Sequence, residues 1–128
     1  MKAEDITPGV IKAGQFKLHV GYCAFQTMPF EEAQYFEVLP TEQPVHGTDT
    51  SFYVNLQLDE RFKWFGWITE FYRHISESDL VEYNTYVDRT YIGQPSWKLH
   101  RRSIVRLIKM CEDITKAAQK AEKKKARA

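Results

Sequence analysis

Four histidines, two cysteines and the carboxylates near residue 59 are the side chains with which this 128-residue chain could do acid-base, thiol or metal chemistry. His19 and Cys23 stand close in "HVGYC", but on a strand four residues span about 13 Å, too far for both to reach one ion. His46, His74 and His100 are isolated from one another and read as surface or interface histidines. Neither Cys-x-x-Cys nor His-Glu-x-x-His spacing occurs, and there is no Gly-x-Ser-x-Gly elbow, Walker loop or dinucleotide glycine pattern. In "DERFK", Asp59 and Glu60 with Lys63 could hold a divalent ion for phosphodiester cleavage, which is the residual catalytic reading. A catalyst needs positioned acid, base or nucleophilic groups, and without such a constellation the chain reads as a non-enzyme with no cofactor and no metal site.

Charge is the stronger signal. The formal net charge is +1, yet up to Gln94 there are seven Lys and Arg against fourteen Asp and Glu, and from Pro95 onward eleven against three. The body therefore carries about −7 and the tail about +8. On a helical wheel, Lys98, Arg102, Arg106, Lys109, Lys116, Lys120, Lys123, Lys124 and Arg127 fall within about 100° of one another, interrupted by Asp113. Such a row suits nucleic acid, because neutralising several phosphates releases condensed counterions and gives affinity without sequence reading. Lys98, Arg101, Arg102, Arg106, Lys109, Lys116 and Lys120 are the candidate phosphate contacts. The competing readings are a solvated helix face, or halves that neutralise each other within the fold or between subunits of a homo-oligomer. Anionic lipid is disfavoured, since a helix lying on a membrane needs large apolar anchors and the tail offers only alanines.

Aromatic residues make up 14% of the chain, several beside charge in "KWFGW", "FYRH" and "YVDRTY". Exposed aromatics can stack bases, but Glu31, Glu32, Glu37, Glu42, Asp49, Asp59 and Glu60 surround the strands and would repel a phosphate backbone. An acidic, aromatic-rich body reads instead as core plus a protein-binding surface, with Glu31, Glu32, Trp64 and Trp67 as candidate anchors of an interaction or inhibitor protein. A helix-turn-helix over "YVDRTYIGQPSWKLHRRSIVRLI", with Gly93 as its turn, would place Arg89 where a small residue is required.

Periodicity supplies the elements that must hold these groups. Alternation in "GQFKLHVGYC", "QYFEVLP" and "SFYVNLQL" predicts three antiparallel strands in a meander. "LVEYNTYVDRTYIG" leans to a fourth strand, because Val81, Tyr83, Thr85 and Val87 alternate. A helix is expected from about Asp59 to Ile75, with Gly66 as a weak point inside it. A long last helix is expected from Trp97, capped by Ser96, with Trp97, His100, Ile104, Leu107, Ile108, Cys111, Ile114, Thr115 and Ala118 on its apolar stripe. The result is an α+β fold: an antiparallel sheet of three or four strands, a middle aromatic helix and a long basic amphipathic C-terminal helix. Residues 1–116 form one domain and residues 117–128 a Lys/Ala-rich extension of the last helix.

Apolar runs are far shorter than the ~20 residues of a membrane span, and "MKAEDITPGV" lacks the apolar block of a secretory leader. These features suggest a cytoplasmic protein whose Cys23 and Cys111 stay reduced. In size and in its isolated motifs the chain resembles the short accessory proteins of viruses and mobile elements, a likeness of style that assigns no residue a role.

Overall fold

A computed structural model describes residues 1–22, 27–41, 52–80, 86–89 and 94–127. Expectations placed on Cys23, His46, the polar loop after Thr41, and Val81, Tyr83 and Thr85 lie outside these residues.

Strands β1 (Gly9–Ala13), β2 (Phe16–Tyr22), β3 (Tyr35–Pro40), β4 (Phe52–Leu58), β5 (Tyr86–Arg89) and β6 (Gln94–His100) form one sheet in the order β1-β2-β4-β3-β6-β5. The sheet is thus larger than the three or four strands expected. It is also mixed: β3 runs parallel to β4, with Val38 beside Val54, while every other neighbouring pair is antiparallel. No meander joins the three strands legible from alternation, because β4 lies between β2 and β3. Strand β1 begins at Gly9, inside "TPGV", where proline and glycine together favour a turn. It forms a tight hairpin with β2 through Gly14, whose φ of 62° suits the first position of a two-residue loop.

Register fixes the faces. Phe16, Leu18 and Val20 of β2 sit beside Leu58, Leu56 and Val54 of β4, and both helices pack on this side. Helix α1 spans Trp67–Glu77 and buries Trp67, Phe71 and Ile75. The expected start at Asp59 is corrected by Gly66, which sits at the N-cap with φ 86°, a left-handed conformation that glycine adopts freely. Asp59, an acid of the kind a helix N-terminus favours, instead closes a turn. Asp59 Oδ1 accepts the Arg61 N–H at 3.0 Å, and the Phe62 N–H donates to the Asp59 carbonyl at 2.9 Å.

Helix α2 spans Arg101–Arg127 and begins on the residue after β6 ends. The expected start at Trp97 with a Ser96 cap is therefore wrong by four residues: Trp97 and Leu99 face the core by strand alternation, not by helical spacing. His100 Nδ1 takes over the capping role by accepting the Arg102 N–H at 3.1 Å. Ile104, Leu107, Cys111 and Ile114 then bury one stripe of α2 in the same core as Phe16, Phe36, Phe71 and Trp97. Strands β5 and β6 occupy the stretch that a helix-turn-helix would need, which removes that reading.

Candidate nucleic-acid interface

Helix α2 is 27 residues long, about 40 Å at 1.5 Å per residue. Its last buried side chain is Thr115, so about three further turns run beyond the core. Burial of one stripe dictates what the opposite side shows: Arg102, Arg106, Lys109, Lys116, Lys120, Lys123 and Lys124 are all exposed. Arg106 pairs with exposed Asp79, and Lys109 Nζ lies 3.2 Å from Asp113 Oδ1 one turn on. Exposed pairs of this kind are worth about 0–1 kcal/mol and exchange readily for a phosphate.

Two of the seven expected contacts lie elsewhere. Lys98 sits on β6, beside Glu37 of β3 and with its Nζ 5.4 Å from the centre of the Tyr35 ring, on the sheet face opposite the helices. Arg101 turns inward. Its Nε donates to the Ala33 carbonyl at 2.7 Å and Nη1 to the Ile6 carbonyl at 3.3 Å, while Nη2 bonds the Phe30 carbonyl. The guanidinium lies 5.1 and 5.2 Å from the ring centres of Phe30 and Phe36. Burial pushes its pKa down, with Glu31 acting in the opposite direction. Arg101 is thus a tie between the N-terminal turn, the turn at Phe30–Glu32 and the start of α2.

The residues expected to anchor a protein partner are also split. Trp67 is buried against Phe16 at 5.7 Å between ring centres and belongs to the core. Trp64 is half-buried against the same ring at 6.1 Å, and Glu31 and Glu32 are exposed beside His100 and Arg101. Asp59 and Glu60 do not converge on a shared ion: Asp59 Oδ2 holds Arg61 at 3.0 Å and Glu60 holds Lys17. The Arg61 side chain and backbone hydrogen bonds bring Asp59 down to a pKa of about 2. Among the described residues no three His, Cys, Asp or Glu side chains are grouped to bind a metal. Cys111 is a free, buried thiol whose pKa is pushed up by that burial.

Two features escaped the sequence reading. On the face opposite the helices, His19 lies beside Asn55 and Lys17 beside Gln57, and Glu37, Asn55 and Gln57 are all buried. Burial and then Lys17 lower the His19 pKa, while the Gln57 side chain acts in the opposite direction. The polar half of the β4 alternation was the available signal. The second feature is a 510 Å³ cleft between residues 64–66 and residues 114–122 of α2, lined among others by Trp64, Glu70, His74, Ala118, Ala121 and Glu122. Phe65 also lines it and is fully exposed. Placing Gly66 at a cap would have revealed this, since Phe65 then leaves the helical stripe.

No family model matches the chain, and neither a curated protein nor a solved structure matches it. Among the described residues no helix is long and apolar enough to cross a membrane.

Proposed function

We propose that this chain is a non-enzymatic module that binds nucleic acid without sequence preference, through the outward cationic face of α2. One observation carries the reading: α2 continues about three turns past Thr115 and presents Lys116, Lys120, Lys123 and Lys124 to solvent. A core needs no such extension, and a rod bearing regularly spaced cations is suited to following a phosphate backbone. Arg102, Arg106 and Lys109 extend the same arc toward the body, over about 33 Å from Arg102 to Lys124. The acidic body keeps the polymer on the helix and off the sheet. Lys98 and Arg101 are left out of the contact set, Arg101 because its donors are engaged within the fold. Base readout is not part of the proposal, since phosphate contacts position a protein without distinguishing bases.

The test is fluorescence anisotropy with unrelated duplexes of equal length across a salt series. With about five phosphates neutralised, log affinity falls against log salt with a slope of about −4 to −5, and the duplexes bind alike. Lys116→Glu and Lys120→Glu each flatten the slope by about one. A salt-independent response, or full binding by the doubly reversed chain, defeats the proposal.

A further inference from the structure

Alternation along β2 places His19 on the sheet face opposite the helices, flanked in register by Val10 of β1 and Asn55 of β4. The ring is half-buried, and its Nε2 is enclosed without a hydrogen-bond partner among the described residues. We propose that His19 is a pH-sensitive switch in the sheet: neutral, it packs between β1 and β4, and protonated, it weakens the fold between neutral pH and about pH 5. The switch requires no nucleic acid.

Hydrogen bonding supplies the first argument. A neutral imidazole carries one N–H and the imidazolium two, so the charged ring has an N–H at Nε2 whichever nitrogen held the proton before. In the closed sheet that donor meets no acceptor, and an unsatisfied buried donor is costly, the more so on a charged group. Opening of the sheet around His19 lets water supply the acceptor.

Charge supplies the second. Lys17 lies two residues along the same face of β2, and Lys12 stands opposite Lys17 on β1. Glu60 is the carboxylate that acts on the ring, but it is paired with Lys17, and Asp59 of the same turn is held by Arg61. Asn55 and Gln57 of β4 are uncharged, and Glu37 lies one strand farther on, beside Tyr53. A proton on His19 therefore joins two lysines where the nearby carboxylates are already engaged. Burial first and Lys17 second hold the folded ring below the ordinary 6.5, against Gln57 and Glu60. Between the folded value and 6.5 the unfolded chain binds more protons, so stability is full above 6.5 and is lost as pH falls through the folded value. This window lies above that of Asp59 and Glu60, whose carboxyls are lowered from 3.8 and 4.5.

Imidazole-proton NMR of the full chain across the histidine range, with urea midpoints at about pH 7.5 and about pH 5.5, tests this. The His19 ring is expected to titrate below 6.5, and the urea midpoint to fall from the higher pH to the lower. His19→Gln, uncharged throughout, loses most of that fall, whereas His74→Gln, on α1 beside Glu70, keeps it. Lys17→Gln moves the His19 titration up and Glu60→Gln moves it down. Where His19→Gln does not fold, the wild-type ring titration and the two neighbouring variants decide. A His19 ring that titrates at or above 6.5, a midpoint fall undiminished in His19→Gln, or shifts of the opposite sign in Lys17→Gln and Glu60→Gln overturns the proposal.

Discussion

The hydroxyl of Thr115 accepts the Gln15 N–H at 2.9 Å while donating to the Cys111 carbonyl at 3.0 Å, which pins the β1–β2 turn to the last buried turn of α2. Gly14 presses on the same side chain: a Cβ there would stand 2.3 Å from Thr115 Oγ1, on a backbone with φ 62°. Thr115→Val strands a buried N–H and lowers stability by about 1–3 kcal/mol. Gly14→Ala adds collision to left-handed strain, the latter worth about 1–2 kcal/mol. In a Thr115→Ala background the Oγ1 contact is gone while the contact with the Cβ of residue 115, at 2.7 Å, stays, so the Gly14→Ala cost shrinks without falling to the strain alone. Urea titrations of the four chains measure that non-additivity.

Arg101 joins three segments through backbone carbonyls, so Arg101→Ala lowers stability by about 2–3 kcal/mol. Arg101→Lys does not recover it, because one ammonium cannot reproduce the planar fork that reaches Ala33 and Ile6 together. Below their melting points both variants bind duplex with the wild-type salt slope. A reduced slope would make Arg101 a phosphate contact after all.

Asp59 gives the protein an acid limb. Its folded pKa, about 2 against 3.8 in an unperturbed chain, is set first by the Arg61 side-chain hydrogen bond. Between those values the unfolded chain binds more protons, so the contribution is full above about pH 4 and is lost as pH falls toward 2. Glu60, lowered chiefly by its hydrogen bond from Lys17, acts in the same direction. Asp59→Asn therefore makes the acid limb of a stability-versus-pH curve shallower without abolishing it. Urea midpoints across the acid range check this.

Trp67 and Phe65 are two residues apart and opposite in role. Trp67→Ala removes a buried ring packed on Phe16 and costs about 3–5 kcal/mol. Phe65→Ala in dilute protein changes stability by less than about 0.5 kcal/mol. Thermal melts of the two variants separate core from surface aromatics.

The legible parts of the fold were those with one period and one boundary. Alternation in "FKLHVGY" and "FYVNLQL" placed β2 and β4, and Pro40 marked the end of β3. Strand order and the parallel β3–β4 pair were not legible, because side-chain period says which face a residue takes and nothing about which strand lies alongside. At "SWKLHRRSI" both periods fit the same apolar residues. Trp97 and Leu99 obey period two, and Trp97, His100 and Ile104 also lie on a helical stripe. Tertiary packing decided: Trp97 sits against Phe71 and Tyr72, at 5.8 and 5.0 Å between ring centres. The basic arc survived this shift because most of its cations follow Arg101, while Arg101 itself turns inward to a cluster of carbonyls that residue type and spacing do not reveal.

The absence of any connecting loop between β6 and α2 has a mechanical meaning. With the Arg101 N–H also bonded to the Gln34 carbonyl at 2.7 Å and Thr115 held by the β1–β2 turn, the helix is clamped from Arg101 to Thr115 like a cantilever whose free part follows. Whatever pulls on its free end transmits torque to β3 and β6 inside the sheet, with no swivel to dissipate it.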